Sequence, residues 1–112
     1  LLTGFAERNL SFTWAAPLLA ESPANHFRLS HRKGAIQTGR EADLVVMAHQ
    51  PAPYDAASSG HNVVGWSPYQ GMELPYRPVA TYLRGEKIFD GIEVVAQPGN
   101  GEFVTPLQRT VS

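Results

Sequence analysis

The sequence predicts an α/β segment of 112 residues, two helices followed by short, mainly β strands. Three observations carry this. Apolar residues at helical spacing and two serine start signals fill the first 30 positions. From His31 onward the pattern changes to short strands and turns, around an unbroken apolar run, Leu44-Val-Val-Met47. Val79–Leu83 and Lys87–Phe89 then face each other across Arg84-Gly85-Glu86, the clearest hairpin signal in the chain.

Taken in order, Leu1, Leu2, Phe5 and Ala6 suit one face of a helix over Leu1–Arg8, which Asn9-Leu10-Ser11 breaks. Ser11 is a good N-cap for a helix from Phe12 to about Ala20, with Trp14, Leu18 and Leu19 as its apolar contacts. Pro17 lies too deep to open that helix and should kink it or delay its start. Ser22-Pro23 repeats the start signal, a hydroxyl cap and then proline, for a short helix over Ala24–Leu29 that buries Phe27 and Leu29.

Gly34-Ala-Ile-Gln-Thr-Gly39 reads as a short strand pair or turn whose glycines permit positive φ. Leu44–Met47 does not alternate polar with apolar, so a strand here is expected to be covered on both faces. Four apolar residues in a row also fit a buried helical turn; the paired valines and the preceding Gly39 favour the strand. Pro51–Gly60 is expected to be an exposed loop with one helical turn near Asp55–Ser58. Asn62–Trp66 is a candidate short strand before a turn at Ser67–Gly71. Pro75 and Pro78 confine Leu74–Val79 to extended or edge geometry, and a last strand is expected at Glu102–Thr105.

A net charge of −1 gives no reason to expect nucleic acid or an anionic membrane. The absence of cysteine excludes a disulfide framework and thiolate-bound metal. No apolar stretch approaches the roughly 20 residues that span a bilayer. The apolar start at Leu1-Leu2, without Met or a signal-peptide pattern, is expected of a fragment of a longer protein.

Lys33-Gly-Ala-Ile-Gln-Thr-Gly-Arg-Glu-Ala-Asp-Leu-Val-Val46 resembles the K-G-x-I-x-x-G-x-x-A-D-L-V segment of the cyclic amidohydrolases, a family of allantoinases, dihydroorotases and hydantoinases. Ser22-Pro-Ala-Asn-His-Phe-Arg-Leu29 resembles the family's N-P-A-x-x-F-G-L, with Ser22 and Arg28 as departures. Ser67-Pro-Tyr-Gln-Gly71 and Thr81-Tyr-Leu-Arg-Gly85 resemble its S-P-Y-x-G and T-x-x-R-G. The four pieces stand in the family's order across Ser22–Val104, and the S-P-Y form is most like allantoinase, though hydantoinases carry a similar stretch. The resemblance implies a parent with a (β/α)8 barrel plus a small β-domain. Residues 1–30 would be the last barrel helices, and 31–112 the C-terminal part of the small domain and tail. It implies a cytoplasmic, homo-oligomeric hydrolase of cyclic amides or ureides that uses a binuclear zinc centre, with no nucleic acid or membrane partner. The alternative is a scaffold relative that keeps the fold and has lost its metal site.

The family's ligands are an H-x-H pair, a carboxylated lysine, further histidines and an aspartate at barrel strand ends, and none of those motifs occurs here. His26, His31, His49 and His61 are scattered singly, without the i, i+2 or i, i+4 spacing that aims two imidazoles at one ion. Lys33 and Lys87 sit in turn contexts, unlike a strand-end bridging lysine. Asp43, at the mouth of the Leu44 strand, reads as a cap for the preceding turn's amides. Ser58 or Ser59 with His61 reads as a solvated loop rather than a nucleophile pair, and Gly99-Asn-Gly101 lacks the strand and helix of a phosphate cradle. Trp66, Tyr69, Tyr76 and Tyr82 have too little interleaved basic charge for a stacking surface and read as packing. The segment is therefore expected to carry no catalytic, cofactor-binding or metal-binding residue of its own.

Overall fold

The computed structural model describes residues 1–58 and 62–110. Ser59 and His61 of the serine–histidine reading, and the end of the loop expected to Gly60, lie outside them.

Helix α1 spans Leu2–Glu7 and stops at Asn9, whose φ of +52° reverses the chain. The amides of Asn9 and Leu10 turn back to the carbonyls of Ala6 and Phe5, so the last carbonyls are satisfied as in a Schellman cap. Ser11 caps the next stretch as expected, its Oγ accepting from the Thr13 amide at 3.3 Å. That stretch is not one regular helix. A 3₁₀ turn at Phe12–Trp14 passes into a π-type segment, Pro17–Glu21, and then into α2, Ser22–His26. The Ser22 amide reaches five residues back to the Pro17 carbonyl, so the chain passes Pro17, whose ring cannot make the helical amide bond to the preceding turn, as a wider turn.

Ser22-Pro23 does not open a new helix. Ser22 is already helical at φ −62°, ψ −45°, and its side chain makes no cap bond. Helix α2 is also shorter than expected, and Phe27 beyond it is exposed rather than buried. Its end is capped by Arg28 at φ +57°, with the Leu29 amide on the Ala24 carbonyl at 2.7 Å. What α2 buries is Ala24, against which Gly34 packs.

The sheet is antiparallel, in the order β1 (Leu44–Pro53), β2 (Glu73–Leu83), β3 (Glu86–Phe89). β1 runs well past Met47, because Ala52 and Pro53 pair with Leu74 and Glu73; the expected loop at Pro51–Pro53 is strand. The prolines lie in or beside irregularities in the ladder. Gln50 and Pro51 together face Pro75, and Val79 is skipped between the Met47–Pro78 and Val46–Ala80 pairs. Bulges release the amides that a regular ladder would need from proline. β2 is thus the central strand although it carries two prolines. Its proline half has β1 on one side only, since β3 pairs with Thr81–Leu83.

The hairpin forms, with a link one residue shorter than expected: Glu86 already belongs to β3 and pairs with Leu83. Arg84 and Gly85 have φ of +48° and +83°, the paired left-handed residues of a type I′ turn. Two expected strands do not form. Asn62–Trp66 is a turn in which Asn62 Oδ1 accepts from the Gly65 amide, and Glu102–Thr105 belongs to no strand or ladder. The extra β contact is instead a bridge from Phe89 to Val94.

The core is thin. Among the described residues only Ala15, Ala24 and Ala56 are buried apolar residues, and no large side chain is fully buried. Val45 and Val46, neighbours on opposite faces of β1, are both exposed. The double covering expected of this strand is not supplied by the described residues.

Candidate functional site

The residues that the fold draws together most closely are charged. Arg32 and Lys33 follow α2, Glu41 and Asp43 stand before β1, Arg84 is in the hairpin turn, and Glu102 lies in the tail. The turn through Gly34 and Gly39 folds the first pair back onto the second, and the Glu41 amide donates to the Arg32 carbonyl at 2.9 Å. Arg32 then bonds Glu41 through both Nε and Nη2, and its Nη2 also reaches Glu102 at 3.1 Å. Lys33 pairs with Asp43 and with Glu41 Oε2, the latter in ion contact rather than in hydrogen-bond alignment. Arg84 Nε stands 3.7 Å from Glu102, and its guanidinium donates to the Asn100 carbonyl.

Asp43 joins this network to the hairpin. Its Oδ1 accepts the Arg84 amide at 2.9 Å while the Gly85 amide donates to Ala42 at 3.0 Å. The capping role expected for Asp43 is present, but it serves a turn 41 residues away instead of the one before it. Lys33 holds Glu41 below the ordinary carboxylate range against the opposing effect of burial, and Arg32 adds to this. Burial pushes Asp43 up, but Lys33 and the Arg84 amide outweigh it, and the group titrates low. Burial likewise lowers Lys33, and its contacts with Asp43 and Glu41 reverse that. The six side chains carry three positive and three negative charges and pair with one another. Such a set fixes positions; it presents no free acid or base to a substrate.

The other candidates remain apart. His26 is edge-on to Phe27 at 5.0 Å, His31 is exposed, and His49 lies on β1 against Tyr76 at 5.4 Å. Lys87 lies 5.7 Å from the Tyr82 ring centre. Tyr76 also packs on Phe12 at 4.5 Å, a packing role, whereas Trp66 and Tyr69 are exposed. Arg32, Glu41 and Glu102 occupy no fixed motif position, and Arg84 is the arginine of the T-x-x-R-G resemblance, which says nothing of its partners. The opposite charges of Arg32-Lys33 and Glu41-x-Asp43 around two glycines were the one local signal for half of the network.

No family model matches the chain. Individual proteins do. It is 31% identical over 105 residues to the L-hydantoinase of Paenarthrobacter aurescens, covering 94% of this chain and 23% of that protein. Against the allantoinase of Bacillus licheniformis it is 31% identical over 105 residues, covering 90% of this chain and 22% of the relative. The solved L-hydantoinase (dihydropyrimidinase) from Arthrobacter aurescens superposes with a TM-score of 0.82 at 31% identity, over 92% of this chain and 23% of that one. Proteins named dihydroorotase match as well.

The chain belongs to the cyclic amidohydrolases.

It spans less than a quarter of the length of the curated relatives it matches. The solved hydantoinases have a barrel plus a small domain, and the helices and three-stranded sheet are a fragment of that architecture. A binuclear metal centre, which the resemblance to this family implies, does not fit the described residues. Among the described residues no three histidine, cysteine or acidic side chains come together as a ligand set. The acids that do cluster, Glu41 and Asp43, are already neutralised by Arg32 and Lys33. Nor is any helix among the described residues long and apolar enough to cross a membrane.

Proposed function

We propose that the chain is the C-terminal portion of a metal-dependent hydrolase that opens cyclic amides or ureides, and that it closes the fold without contributing to the chemistry. Residues 1–30 end the barrel, and 31–112 complete the small β-domain and its tail. The zinc ligands, the substrate site and the catalytic groups belong to the rest of the parent, a cytoplasmic homo-oligomer. One observation carries this reading: nearly the whole chain superposes on a hydantoinase while accounting for only 23% of it. The charge network supports it, because a self-neutralised set of ion pairs suits a structural joint.

The test is an assay of ring opening with hydantoin, allantoin and dihydroorotate. The full-length, metal-loaded parent opens one of them, while the chain alone opens none and takes up no stoichiometric zinc. Tight zinc binding by the chain, lost on replacing two of its histidines, would overturn the assignment. A full-length parent that folds yet binds no metal and opens none of the three would favour the scaffold alternative.

A further inference from the structure

Asn100-Gly101 is the only asparagine–glycine pair in the sequence, and it lies where the tail meets the hairpin. Asn100 is held from both sides. Its carbonyl accepts from Arg84 Nη2, its Oδ1 stands 3.4 Å from the same nitrogen, and its Nδ2 donates to Glu86 Oε2 at 2.9 Å. Gly101 belongs to no helix or strand, and the space where a side chain would stand is open to 4 Å. From this arrangement we propose that Asn100 is a site of spontaneous deamidation, and that the reaction rewires the tail's attachment to the hairpin.

The chemistry needs only water. The Gly101 amide nitrogen, giving up its proton to solvent, adds to Cγ of Asn100. The C–Nδ2 bond breaks, the nitrogen leaves as ammonia, and a five-membered imide remains. Water opens the imide at either carbonyl to give aspartate or isoaspartate. Glycine leaves the attacking nitrogen unshielded. The negative charge that builds on Oδ1 during addition develops beside the Arg84 guanidinium, a donor fixed in advance by the turn.

The product changes the contacts. A carboxylate at position 100 no longer donates to Glu86, and two like charges then face each other across the former hydrogen bond. Arg84 is shared between the new carboxylate and Glu102. The isoaspartate form also adds a backbone carbon at the point where Arg84 holds the carbonyl. Asp90-Gly91 is a built-in comparison. Asp90 Oδ1 is tied to the amides of Ile92 and Glu93 at 2.9 Å, and its charged carboxylate is a poor target for attack.

The test ages the full-length protein in mildly alkaline buffer and maps peptides for isoaspartate, using enzymatic methyl transfer and mass spectrometry. Isoaspartate and aspartate accumulate at Asn100 ahead of Asn9, Asn25 and Asn62, and Gly101→Val removes the signal. Arg84→Gln slows the reaction severalfold in the folded protein and leaves it unchanged in denaturant, which separates the guanidinium's effect from unfolding. Asn100→Asp raises amide exchange through the tail. No product at Asn100 when other asparagines react, or equal rates for Arg84→Gln and the parent sequence in the folded state, would overturn the proposal.

Discussion

Arg28 occupies a place where a side chain is a liability. Its φ of +57° is the left-handed cap of α2, a conformation that costs an ordinary residue about 1–2 kcal/mol and glycine almost nothing. The motif that the region resembles has glycine here. Arg28→Gly is therefore expected to stabilise the fold by about 1 kcal/mol, seen as a higher denaturation midpoint. Gly34 is the opposite case. Its φ is +92°, and a Cβ would stand 2.5 Å from the Ala24 Cβ and 3.0 Å from the Ala20 carbonyl. Gly34→Ala combines strain with a collision against a helix and should cost roughly 1–3 kcal/mol. At Gly85 the turn needs φ of +83° but the space is open. Gly85→Val should cost roughly 1–3 kcal/mol through the backbone alone, while Gly85→Asn is tolerated better. Equal melting temperatures for Val and Asn at this position would contradict the turn assignment.

At the level of elements, the charge network joins the end of the helical stretch to the mouth of β1 and the β2–β3 turn, and it makes that joint sensitive to acid. Glu41 and Asp43 titrate below their ordinary values in the folded chain. Their contribution is complete above the unfolded-state carboxylate value and is lost as pH falls through the depressed folded one. Lys33 is raised, so its contribution holds at neutral pH and disappears only as pH rises through that raised value. Denaturation midpoints should fall on acidification, and Asp43→Asn should flatten that dependence while lowering stability at neutral pH. The local half of this joint was legible, since the Ser11 cap, the glycine turn and the hairpin, though with a link one residue too long, are written in neighbouring residues. Its distant half was not. Arg84 and Glu102 meet Asp43 and Arg32 only after the chain has folded, and no spacing announces them. The prolines were legible in outline, since Leu74–Val79 is extended and that half of β2 is paired on one side only. What the local sequence did not show is that bulges, in β1 at Gln50-Pro51 and in β2 itself at Val79, keep Pro75 and Pro78 in the central strand.

For the whole molecule, surface area is the informative quantity. The chain exposes 8642 Å² at 12.2 kDa, where a compact monomer of that mass exposes about 6,100 Å². Its radius of gyration is 16.4 Å, against about 13 Å expected for its length. The excess is apolar where covering should lie: Trp14 is 67% exposed, Leu19 59% and Phe27 62%. Fully burying each such side chain is worth about 1.5–3 kcal/mol, a large share of a small domain's margin of roughly 5–15 kcal/mol. On the proposed reading the helical stripe and both faces of β1 are surfaces that the remainder of the parent covers, and left open such surfaces drive association. Light scattering on the isolated chain tests this most directly. The account predicts a mass that rises with concentration through aggregates well above 12.2 kDa. A single species at 12.2 kDa across the same range, melting cooperatively, would contradict it and establish an autonomous domain.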